Sequence, residues 1–295
     1  MVFSRLDKDY TMKNFIKRYP VFSYYLLVFA ISWGGILTLI GGFGNIPGTK
    51  EQAEILFVPA LIIMFAGPFI SGILLIFLID GKNGFRKLLS HLLQKRVQGY
   101  WYAIAVFTGP LLVAVVLFGL SLFNQEFLPE IFTAKDKVGL MIFGLTWGLI
   151  GGGLLEETGW TGFVLPHLRK QYSILSTGII IGILWGIWHF MIAFWASNYM
   201  VGAGTWTMFV AGFLVFYLVV LPAYRVLLVF VYDRTESLFI VMLMHAFLSA
   251  STLIFQPSAT GKISFIWNSV LGIILWIVVA IIATKHQNLS RKPNY

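Results

Sequence analysis

Two adjacent carboxylates, Glu156 and Glu157, stand in the run Leu154-Leu155-Glu156-Glu157-Thr158-Gly159-Trp160-Thr161-Gly162-Phe163, where every other side chain is apolar, small, aromatic or a hydroxyl. A carboxylate placed near the middle of a bilayer costs at least a few kcal/mol, so an acid in such a run marks a functional site whose partners should be sought. Two histidines meet that requirement. His189 follows Ile183-Leu184-Trp185-Gly186-Ile187-Trp188, and His245 lies within Val241-Met242-Leu243-Met244-His245-Ala246-Phe247-Leu248-Ser249. One intramembrane histidine would ordinarily be read as a hydrogen bond between helices. A Glu pair and two histidines on three separate apolar runs reverse those odds and point to a functional constellation, since Glu and His are the groups that move protons near neutral pH. The chain contains no cysteine, which excludes disulfides, thiolate metal sites and cysteine nucleophiles.

These residues must be positioned by membrane helices. The chain has 295 residues, 58% hydrophobic and 11% charged, with a mean hydropathy of +0.84, whereas soluble domains carry roughly 25% charged residues. Apolar windows of the length needed to cross a bilayer recur along almost the whole sequence. The pattern predicts an all-α, polytopic membrane protein forming one domain over residues 1–295, with eight spans at 21–41, 55–79, 100–123, 139–168, 174–196, 206–232, 237–255 and 263–284. Residues 139–255 form the core that carries the polar groups. Prolines 59, 68, 110 and 222 fall inside spans and mark kinks. The segment Gly81 to Gln98 sets Phe85, Leu88, Leu89, Leu92, Leu93 and Val97 at helical spacing among basic residues, as expected of an amphipathic helix at the interface, a topological anchor.

The formal net charge of +9 reflects this topology and implies no nucleic-acid partner. Assigning Arg225 and Arg234 to the turn after the sixth span puts seventeen Lys and Arg residues on the side of both termini, and Lys50, Lys135, Lys137 and Lys262 on the other. The positive-inside rule then predicts cytoplasmic termini. The basic stretch Met1 to Pro20 lacks a small-residue cleavage pattern and is not read as a removable signal. His91, His167 and His286 fall at the ends of spans and are read as surface residues.

At a rise of 1.5 Å per residue, Glu156, His189 and His245 lie about 18, 22 and 12 Å from the cytoplasmic ends of their spans, so they can meet within a core about 30 Å thick. That agreement requires the fourth span to continue through Phe163-Val164-Leu165 to His167. Residues four apart share a helix face, which pairs Glu157 with Thr161, Trp185 with His189 and His245 with Ser249.

The Glu156-Glu157 pair, Trp185 with His189, and His245 resemble the EExxxR, FxxxH and HxxxN motifs of the CAAX protease and bacteriocin-processing enzymes, the CPBP or Abi family of intramembrane proteases. Gly159-Trp160, Gly162-Phe163 through Pro166, and Asp233-Arg234-Thr235-Glu236-Ser237-Leu238 also resemble the contexts of these motifs. Two positions depart from the pattern, with Thr161 where the Arg is expected and Ser249 in place of the Asn. Thr161 cannot neutralise Glu157, so that acid is protonated, paired elsewhere or hydrogen-bonded to the hydroxyl.

The resemblance implies an endopeptidase acting on a membrane-embedded or membrane-associated peptide, with Glu156, Glu157, His189, His245 and Ser249 as its site. Glu156 and His189 would activate the water, and His245 with Ser249 would face the oxyanion. In a zinc version Glu156, His189 and His245 would be the ligands, although no HExxH spacing is present. Direct activation by Glu and His is the preferred reading. Two alternatives stay open. One is a scaffold, immunity or maturation factor without proteolysis, which the two departures would allow, and the other is a proton-coupled transporter.

Overall fold

The computed structural model describes residues 12–197, 206–257, 261–286 and 289. Among these residues every regular element is helical. Among the described residues eight helices are long and apolar enough to cross a membrane: Pro20–Ile40, Lys50–Leu92, Gly99–Ser121, Lys137–Leu168, Ile174–Trp195, Val210–Thr235, Leu238–Phe255 and Gly261–Lys285. They are called the first to eighth spans below. A short helix, Met12–Arg18, precedes them. The all-α polytopic architecture expected from hydropathy is the one observed, and the fourth span runs without interruption past the Glu pair to Leu168.

The second span begins earlier than expected because Thr49 caps it. The Thr49 hydroxyl accepts from the Gln52 N–H (3.2 Å) while the Gln52 side chain accepts from the Thr49 N–H (3.0 Å), a reciprocal pairing that satisfies two otherwise unpaired donors. At its other end the helix breaks at Gly81, whose backbone (φ 57°) lies in the left-handed region that glycine tolerates. The expected amphipathic segment follows this break but is helical only to Leu92, shorter than the range 81–98. Phe85 and Leu88 pack on the bundle, whereas Leu89 and Leu93 are exposed.

One basic residue is not where the charge count placed it. Arg225 lies within the sixth span, ten residues before its end at Thr235, and is completely buried. It leaves the loop tally, which still favours the side of the termini. The basic residues counted at 1–11 and 290–295 lie outside the described residues.

Glycine decides how closely the central spans approach. Along the fifth span Gly178, Gly182 and Gly186 face the sixth. A Cβ on Gly178 would stand 2.6 Å from Val226 Cα, one on Gly182 would overlap Pro222, and one on Gly186 would overlap the Tyr217 carbonyl. Such stripes of small residues let helix backbones pack directly in membranes. Side chains on the sixth span therefore reach into the space beside Trp185.

Candidate active site

The fourth span widens where it carries the acids. Gly148–Glu156 and Trp160–Val164 are π-helical turns, which take in extra residues and recur at functional sites. The packing shows the effect. Gly144, Gly148 and Gly153 all abut the seventh span, at Ile254, Ala246/Ala250 and Met242 respectively. Gly152 meets the same span, at His245 and Ser249, so the wide turn presents two successive residues to it.

Glu156 is buried, and its Oε2 accepts hydrogen bonds from two indoles, Trp160 Nε1 at 3.0 Å and Trp185 Nε1 at 2.5 Å. Trp160 lies one turn further along the same span and is clamped by aromatic contacts to Tyr24, Tyr25 and Trp188, with ring centroids 5.4, 5.6 and 5.7 Å away. Trp188 in turn donates to Ser32 Oγ (2.9 Å). The first span therefore serves as the wall behind Glu156. With one oxygen fixed by two donors, the carboxylate is held in a single orientation.

Glu157 faces another way and has acquired a partner that sequence reasoning missed. Arg225 Nη1 donates to both carboxylate oxygens, at 2.8 and 2.9 Å, and the Thr161 hydroxyl donates to Oε2. Both ion-pair members are fully buried. Of the options open to this acid, pairing elsewhere and bonding to the hydroxyl both occur. The cation comes from the sixth span instead of the fourth. The visible signal was that Arg225 sits in Ala223-Tyr224-Arg225-Val226-Leu227-Leu228-Val229, too apolar for a turn.

The same carboxylate orients a histidine. His245 Nδ1 lies 2.6 Å from Glu157 Oε1, and because a carboxylate accepts, Nδ1 carries a proton. Its Nε2 faces the space beside Gly152, where an added Cβ would be 3.1 Å from Nε2 and 2.6 Å from Ser249 Oγ. His189 is fixed by a similar device, with Nδ1 donating to the Trp185 carbonyl one turn back (2.8 Å), which leaves Nε2 as a free lone pair. It occurs where the fifth span changes from the helix Ile174–Trp188 to the helix Phe190–Trp195.

Glu156, His189, His245 and Ser249, from three spans, line one cavity of about 820 Å³ whose wall is otherwise mainly apolar and aromatic, including Phe57, Phe65, Trp147 and Tyr217. Glu157 does not line it and stands behind His245. The cavity extends from these groups to Glu54, Glu130, Gln256 and Pro257. It therefore reaches the bundle end that carries the loops before the second and fourth spans and after the seventh. Of the histidines read as surface groups, His286 is exposed, while His91 and His167 are half-buried and bonded to the carbonyls of Glu236 and Phe163.

The zinc set Glu156, His189 and His245 is not assembled. Among the described residues no three His, Cys, Asp or Glu side chains converge closely enough to hold a metal ion. Trp185 is the wedge between them: its Nε1 is on Glu156, and its ring lies 4.9 Å from His245 and 5.8 Å from His189, centroid to centroid.

Residues 138–251 match the sequence model of a family described as type II CAAX prenyl endopeptidase Rce1-like. A curated relative, CAAX prenyl protease 2 of Methanococcus maripaludis, is 30% identical over 77 residues, which is 26% of this chain and 23% of the relative. The chain thus aligns with about a quarter of that relative's length.

Proposed function

Starting from a chain that belongs to the CPBP family through residues 138–251, we propose that the protein is an intramembrane endopeptidase that hydrolyses a bond in a membrane-associated peptide. The observation that carries this reading is the convergence of Glu156, His189, His245 and Ser249 on one cavity among apolar spans.

In the proposed mechanism, water lies between Glu156 and the free Nε2 of His189 and loses a proton to the carboxylate as it adds to the peptide carbonyl. The oxyanion turns toward His245 Nε2 and Ser249 Oγ, groups fixed before the reaction begins. In the resting site His245 carries its hydrogen on Nδ1, engaged by Glu157; Nε2 donates to the oxyanion after taking up a second proton from solvent through the open end of the cavity, and Glu157 faces the charge so formed. Glu156 then returns its proton to the leaving amine. No step runs through a metal, and exhaustive chelation is expected to leave cleavage unchanged in an assay on purified protein.

Arg225 supports this reading over a non-proteolytic scaffold, because the cation whose absence at position 161 favoured the scaffold reaches Glu157 from the sixth span. The reading also places both termini in the cytoplasm, as the basic-residue excess does. The substrate would then be reached from the opposite face, where the cavity ends.

Purified wild-type and Glu156→Ala protein would be incubated with a peptide library from a membrane proteome. Products made only by the wild type are expected. Glu156→Ala, His189→Ala and His245→Ala should each lower cleavage by at least about 10²-fold while eluting as the wild type does on gel filtration. Full activity in any of the three would refute the assignment.

A further inference from the structure

Arg225 touches two groups that each hold a residue lining the cavity. Through Nη1 it holds Glu157, which accepts from His245 Nδ1–H. Its guanidinium also lies over the Trp185 ring, 4.4 Å from the centroid, and that indole donates to Glu156 Oε2. Among the described residues, Arg225 Nε and Nη2 have no hydrogen-bond acceptor. Arg225 does not line the cavity and so is not placed to meet a substrate.

We infer that Arg225 is a positioning residue that sets both halves of the site, His245 through Glu157 and Glu156 through Trp185. The first branch is electrostatic. A buried carboxylate without its cation is strongly disfavoured, and a Glu157 that has lost its charge no longer selects the His245 tautomer with hydrogen on Nδ1. The second branch is geometric. A planar cation stacks on an indole face in a way that an ammonium does not reproduce, and this contact fixes the ring whose N–H orients Glu156.

The two branches separate experimentally. Protein labelled with ¹⁵N-histidine, with His245→Gln as the assignment control, reports the tautomer of His245 without any substrate. The wild type is expected to show hydrogen on Nδ1. Arg225→Leu should show mixed tautomers, with kcat lowered about 10²-fold and KM within about twofold. Moving the cation, in Arg225→Leu/Thr161→Arg, should restore the single tautomer and recover part of kcat, leaving the deficit due to the lost stacking. Arg225→Lys retains the charge. It is expected to keep the tautomer and lose about tenfold in kcat; if Arg225→Leu does not fold, the double variant tests the first branch and Arg225→Lys the second.

An unchanged His245 spectrum in folded Arg225→Leu, or mixed tautomers persisting in the folded double variant, would overturn the first branch. Wild-type kcat in Arg225→Lys would overturn the second. The kinetic arms rest on the peptidase reading, whereas the nitrogen spectrum does not. A wild type that cleaves nothing would therefore refute that reading and leave the positioning of His245 to be decided by the spectrum.

Discussion

A methyl group placed on Gly152 would stand 2.6 Å from Ser249 Oγ and 3.1 Å from His245 Nε2, filling the space proposed for the oxyanion. Both neighbours are side-chain ends, so the fold can absorb the change more easily than the chemistry can. Gly152→Ala is expected to lower kcat by about 10²-fold or more with little change in thermal stability, measured side by side on the purified protein. Trp185→Phe keeps a ring over Arg225 but removes the N–H that reaches Glu156. The loss of one hydrogen bond to a charged group, about 1.5–3 kcal/mol, should appear mostly in kcat. At this scale the sequence exposed the acids and histidines because charge inside an apolar run is conspicuous. Arg225 is hard to see because the charged stretch Asp233-Arg234-Thr235-Glu236 follows it by little more than two turns, so a charge at 225 reads as part of the turn.

The fifth and sixth spans place these residues through a glycine face, not through polar contacts. Gly182→Leu would drive a side chain into Pro222 and is expected to destabilise the protein by about 1–3 kcal/mol, read as a lower midpoint of thermal unfolding in detergent. Activity should fall with it, since Trp185 and Arg225 sit across the same contact. Span positions were legible from hydropathy: 174–196 and 237–255 correspond to Ile174–Trp195 and Leu238–Phe255. The π-helical turns were not. An extra residue in a turn leaves composition unchanged and alters only which face each later residue presents. Counting at 3.6 per turn therefore cannot show that Gly148 and Gly153 share a face.

For the molecule as a whole, the cavity ends beside Glu54 and Glu130, at the start of the second span and before the fourth. Native cysteine is absent, so single cysteines can map this end directly. With cytoplasmic termini, Glu130→Cys in intact cells is expected to react with a membrane-impermeant maleimide and Ser90→Cys only after lysis; the reverse pattern would invert the proposed orientation.

The buried ion pair between Glu157 and Arg225 also bears on how the chain enters the bilayer. An Arg or an acid at the centre of an isolated helix raises the cost of insertion by about 2.5–3.5 kcal/mol. The fourth span bears two acids and the sixth bears Arg225, so neither is a good solitary guest of lipid. Each becomes one when the other arrives. Biogenesis is thereby tied to the later half of translation, with the fourth span stabilised only after the sixth has emerged, and a chain truncated between them would be left with an acid that has lost its counter-ion.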